Sequence, residues 1–76
     1  MKELVEVLVK ALVDNPDAVQ VTEVMGNNVI IVEVKVDKSD MGKVIGKHGQ
    51  TASAIRTLLS ATSAKLKKRA VLEILE

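Results

Sequence analysis

Residues 44–49 read Val44-Ile45-Gly46-Lys47-His48-Gly49, preceded by Gly42-Lys43. Gly46 and Gly49 carry no Cβ, so an anion can approach the main chain closely there. The free N–H groups and positive dipole end of a following helix favour negative charge at the same place. Lys47 adds a cation at the tip. A Walker A loop is excluded, because it needs four residues between its first glycine and Gly-Lys; here three intervene, and His48 follows Lys47. The dinucleotide-binding fingerprint fails too, since Val44 stands where its second glycine belongs. A bare Gly-x-x-Gly turn joins helices without any ligand, so the case for a site rests on its surroundings.

Upstream, Ser39 or Asp40 can cap a short helix through Met41, Val44 and Ile45, ended by Gly46. Downstream, a helix is expected from Gln50 to Ala64, with Ala52, Ile55 and Leu59 along one line and Ala54, Leu58 and Ala61 along another. Further out, Val29 to Val36 alternates Ile30, Val32, Val34 and Val36 against Glu33 and Lys35, the pattern of a half-buried strand. Ala18 to Val24 is a second strand, and Gly26-Asn27-Asn28, which tolerate positive φ, suggest that the two form an antiparallel hairpin. Met1 to Val13 places Met1, Leu4, Val5, Leu8, Ala11 and Leu12 at helical spacing, and Pro16 stops that helix at Asn15. Arg69 to Leu75 alternates Ala70, Leu72 and Ile74 against Arg69, Val71 and Glu73, which suits a last strand.

The 76 residues, 47% hydrophobic and 28% charged, have the balance of one small globular domain with a single modest core. No cysteine is present, which excludes disulfides, zinc knuckles, iron–sulfur clusters and a thiol nucleophile; one histidine cannot build a histidine-rich metal site. Phe, Trp and Tyr are also absent, so bases cannot stack on aromatic platforms. Glu3, Glu6 and Lys10 interrupt the first apolar stretch, and no run approaches the roughly 20 residues of a membrane span, so a soluble, cytoplasmic protein is expected.

The net charge of +1 conceals a strong asymmetry. Residues 1–42 hold 4 basic and 8 acidic side chains, residues 43–69 hold 7 and none, and residues 70–76 hold none and 2. Lys43, Lys47, Arg56, Lys65, Lys67, Lys68 and Arg69 thus share an acid-free stretch containing the glycine loop, the footprint of an anion-binding surface. A basic solvated face is the bland alternative.

Val44-Ile45-Gly46-Lys47-His48-Gly49, with Ile55 following on a helix within Ala54-Ile55-Arg56-Thr57, resembles the signature of the KH domain. The resemblance extends over essentially the whole chain, and the helix-first order looks like the type II arrangement of small bacterial RNA-binding proteins of the KhpA type. It implies an α+β fold over residues 1–76, in the order α-β-β-α-α-β. A three-stranded mixed sheet would be covered on one face by three helices.

The resemblance further implies a groove for about four nucleotides of single-stranded RNA, with single-stranded DNA open to the same chemistry and no cofactor or metal. By position in the motif, Gly46, Lys47, His48 and Gly49 would clamp the backbone, Gly42 and Lys43 extend the clamp, and Val44, Ile45 and Ile55 form an aliphatic floor. Arg56 lies about one turn into the long helix. Ala52 stands where many KH domains have a larger aliphatic residue, and His48 where the loop is often basic or small. Whether Lys65, Lys67, Lys68 and Arg69 join the groove is open at this level. The non-catalytic function implied is RNA regulation or RNA chaperoning.

A protein-interaction or scaffold module with little RNA affinity is the alternative, and an enzyme is disfavoured by the lack of any paired catalytic groups. The apolar arcs of the first and long helices exceed what one sheet face covers. Ala54, Leu58 and Ala61 are therefore a candidate surface for a homodimer, or for a heterodimer with another KH protein.

Overall fold

Helix α1 spans Lys2–Leu12, and the computed structural model describes Met1–Glu76 throughout. Its inner line is Val5 and Val9, both fully buried, continued by Val13. Leu4, Ala11 and Leu12, expected on the core side, are exposed, as is Val7. The helix meets the core along one row at i, i+4 spacing, so its buried stripe is narrower than its apolar arc. The helix ends at Leu12, earlier than the expected stop at Asn15, because Val13 is already extended (φ −95°, ψ 158°); Pro16–Ala18 then forms one 3-10 turn, which delays the first strand to Gln20.

Strands β1 (Gln20–Met25), β2 (Val29–Lys35) and β3 (Arg69–Leu75) form one sheet in that order. β1 and β2 are antiparallel, with Val21 opposite Val34 and Met25 opposite Ile30. β2 and β3 are parallel, with Ile30 opposite Ala70 and Val32 opposite Leu72. Residues 26–29 close the hairpin through a Gly26 N–H donated to the Val29 carbonyl at 2.8 Å. None of Gly26, Asn27 and Asn28 has positive φ, contrary to the expectation from their residue types. The three-residue connection between Met25 and Val29 closes without it.

Parallel neighbours need a crossover. Helices α2 (Met41–Ile45) and α3 (Gln50–Ala64) supply it, and lie with α1 on one face of the sheet. Ile30, Val32, Val34 and Leu72 point into that layer and bury against Val5, Val9, Val44, Ile55 and Leu59. In α3, Ala52, Ile55, Leu59 and Ser63 are buried, whereas Ala54, Leu58 and Ala61 are exposed, so the two lines separate into a core edge and a free edge. The architecture is the expected α+β order with a three-stranded mixed sheet and three helices.

The start of α2 differs from expectation. Asp37 accepts the Ser39 N–H at 3.0 Å and its hydroxyl at 2.9 Å, opening a single 3-10 turn at Lys38–Asp40. Asp40 occupies the position before α2 but does not cap it with its side chain. Its carboxylate instead accepts the N–H groups of Asp14 at 3.2 Å and Asn15 at 3.1 Å. At 1% exposure it is the only buried acid, and those two donors explain how it is tolerated.

Candidate nucleic-acid interface

Gly46 ends α2 at φ 79°, ψ 167°, and its N–H is donated to the Gly42 carbonyl at 2.8 Å. The chain then reverses in one 3-10 turn, with the Gly49 N–H on the Gly46 carbonyl at 3.0 Å. His48 (φ 56°, ψ 26°) and Gly49 (φ 73°, ψ 11°) are successive left-handed residues before α3 begins. Histidine is among the side chains that tolerate this region better than most, although not freely.

The two glycines have different reasons. A Cβ on Gly46 would lie 2.2 Å from Thr51 Oγ1 and 2.8 Å from Thr51 N, so the chain's own helix demands glycine there. A Cβ on Gly49 would meet nothing within 4 Å, leaving open space beside the backbone at the start of α3. Gly49 also brings no capping side chain to that helix. The loop therefore presents main chain, an open approach at Gly49, and the exposed side chains of Lys47 and His48. That combination can receive an anion.

Of the expected floor, Val44 and Ile55 are core residues at 0% and 4% exposure, and only Ile45, at 38%, reaches the surface beside the loop. Val44 and Ile55 both belong to the buried core cluster. Ala52 is likewise buried against the core and does not line an open groove. Gly42 is exposed on α2.

Lys43, expected to extend the clamp, is paired with acids from outside the glycine loop. Its ammonium is hydrogen-bonded to the Asp14 carboxylate and lies 3.6 Å from Asp40 Oδ1. The hydrogen bond to Asp14, reinforced by the charges of Asp14 and Asp40, raises the Lys43 pKa above its ordinary value. The run without acids in sequence is thus not without acids in space. The i, i+3 spacing of Asp40 and Lys43 could have signalled part of this; the approach of Asp14 could not be read locally.

Lys47, Arg56, Lys65 and Lys67 have no acidic partner, whereas Lys68 reaches the Gly26 carbonyl at 3.3 Å. Arg56 lies exposed on α3 about 10 Å beyond the loop. Lys65 to Arg69 follow the far end of that helix, about 22 Å from its start, against the hairpin turn through the Arg69 N–H on the Asn28 carbonyl. No three His, Asp or Glu side chains converge to hold a metal ion, and no helix is long and apolar enough to cross a membrane.

The family model described as KhpA/KhpB, KH domain, matches residues 2–74. The chain is 59% identical over 75 residues to an RNA-binding protein KhpA of Caldanaerobacter subterraneus subsp. tengcongensis, covering 99% of this chain and 100% of that one. It is 55% identical to RNA-binding protein KhpA of Clostridium perfringens over 75 residues, with the same shares covered. Against the protein of that name from Aquifex aeolicus it is 51% identical over 76 residues, 100% of this chain and 96% of the other. No solved structure gives a significant match. The order of elements, the Gly46-Lys47-His48-Gly49 loop between two helices and these full-length similarities agree: the chain belongs to the bacterial, non-catalytic KhpA/KhpB KH-domain family.

Proposed function

We propose that residues 1–76 act as one RNA-binding unit that takes about four nucleotides of single-stranded RNA across the loop, in cytoplasmic RNA regulation or chaperoning. The observation that carries this reading is the exposed Lys47-His48 tip, next to the open backbone at Gly49 and the uncapped start of α3. The relatives' name, RNA-binding protein KhpA, supports it. Ile45 is the aliphatic surface available to a base, Arg56 a further cation along α3, and Gly42 exposed backbone on the approach. Single-stranded DNA meets the same loop chemistry and is a comparison rather than a presumed ligand.

A groove without aromatic rings and with about two to four phosphate contacts gives micromolar or weaker binding, with a log–log salt slope of about −1.5 to −3. Replacing Lys47 and His48 together by Asp puts two carboxylates where the phosphate should lie, at exposed positions whose change leaves the core intact. Titration of single-stranded and duplex RNA at several salt concentrations should show single-strand preference in the parent chain and loss of binding in the double variant. Duplex preference, or a double variant that binds as tightly as the parent, defeats the reading.

Self-association, or pairing with another KH protein, belongs to the same proposal. Leu58 is 48% exposed between Ala54 and Ala61 on the free edge of α3. Residues two apart on a helix point about 160° apart, so Leu58 and Arg56 occupy different sides and one surface does not preclude the other.

A further inference from the structure

Seven cations lie between Lys43 and Arg69 with no acid among them, yet the first is neutralised by residues from outside the run. The two acids at Lys43 are not equivalent. Asp40 is buried and holds the Asp14 and Asn15 N–H groups, which seats the end of the α1 segment against the start of α2. Asp14 has an 80% exposed side chain whose one partner is Lys43. Its backbone N–H, not its carboxylate, makes the bond to Asp40. Asp40 is therefore the structural anchor, and the Asp14 carboxylate is a counterion suspended over Lys43.

Lys43 stands three residues before Gly46, about 4.5 Å along the helix that feeds the loop. A phosphodiester tracking from the loop along α2 would meet an ammonium already bonded to a carboxylate, with the carboxylate itself facing solvent. We propose that Asp14 is a built-in competitor for the nucleic-acid backbone, holding Lys43 as an internal counterion and so setting a ceiling on RNA affinity. This rests on the RNA-binding reading above. The consequence is that loss of Asp14's charge strengthens binding, and does so through Lys43.

Asp14→Asn tests this with the fold preserved, because the backbone bond to Asp40 does not depend on the side chain. The probe is a fluorescein-labelled single-stranded RNA octamer of mixed sequence, followed by anisotropy at several salt concentrations. Releasing one exposed charge pair should tighten binding about two- to fivefold at low salt. It should also steepen the log–log salt slope by about 0.7, one added phosphate contact on a single strand. Asp14→Glu retains the charge and should retain the parent slope. Combining Asp14→Asn with Lys43→Met should erase the gain, so that Lys43→Met costs more in the Asp14→Asn background than in the parent by the size of that gain. An unchanged slope in Asp14→Asn, or a gain that survives Lys43→Met, overturns the proposal while the RNA-binding reading stands if the parent binds and the Lys47→Asp, His48→Asp variant does not. A parent chain that fails to bind the octamer overturns both.

Discussion

Gly46 and Gly49 share a residue type and a left-handed φ, but only Gly46 faces a neighbouring side chain. Alanine at Gly46 must displace Thr51, whose Oγ1 would be 2.2 Å from the new Cβ, and with it the first turn of α3. Alanine at Gly49 meets open space and incurs only the left-handed backbone cost, about 1–2 kcal/mol. Urea denaturation should therefore rank Gly46→Ala well below Gly49→Ala in stability. Equal losses would show that backbone strain alone governs both positions.

Two ion-bearing residues give the stability a defined dependence on pH. The Ser39 backbone N–H, then its hydroxyl and the Asn15 amide, hold the Asp37 carboxyl below its ordinary pKa of 3.8. Its contribution is complete above that value and is lost as pH falls through the lower folded one. Lys43 behaves oppositely: its contribution is complete below the ordinary 10.5 and is lost as pH rises through the raised folded value. Lys43 is exposed and Asp37 only half-buried, so each effect is small. Asp37→Ala should be less stable than the parent at neutral pH, with the difference vanishing in strong acid; a deficit that persists unchanged there contradicts the assignment.

At the level of elements, α3 ends in a Schellman motif: the Lys68 N–H reaches the Ser63 carbonyl and the Lys67 N–H the Ala64 carbonyl, both at 3.1 Å. The left-handed position is filled by Lys67 at φ 56°, where glycine is usual. Lys67→Gly should stabilise the chain by about 1 kcal/mol by removing that strain, measurable as a higher denaturation midpoint. A lower midpoint would mean that the Lys67 side chain supplies packing worth more than the strain. The inner line of the same helix, Ala52, Ile55, Leu59 and Ser63, joins α3 to the sheet and thereby holds the loop at its other end.

Across the whole molecule, Arg56 and the exposed apolar edge of α3 lie on different sides of that helix. Burying a side chain such as Leu58 contributes about 1.5–3 kcal/mol, and two-fold symmetry would use it twice. Sedimentation equilibrium with interference optics, suited to a chain without Trp or Tyr, should show self-association at high micromolar concentration, and Leu58→Lys should abolish it without unfolding. A parent chain that stays monomeric there removes the homodimer, and a dimer untouched by Leu58→Lys removes the choice of surface.

Local sequence was enough for the elements whose hydrophobic period and boundaries agree. The expected limits of α3 and β3 coincide with those observed, because Gly49 opens the one and the inward set Ala70, Leu72 and Ile74 carries the other. The Gly46-x-x-Gly49 loop was legible for the same reason, since glycine spacing is a property of the chain itself. Which apolar residues are core was less legible. Helical spacing puts Leu4 in the inner set and leaves Val9 out, yet the line along which α1 touches the sheet buries Val9 and exposes Leu4. Charge was the least legible property. Lys43 reads as a free cation at the head of an acid-free run, but Asp14 is 29 residues away in sequence and one hydrogen bond away in space. Periodicity and turn chemistry act between near neighbours, and so are written in the sequence; ion pairing across the fold depends on how the crossover brings distant segments together, and only tertiary structure decides it.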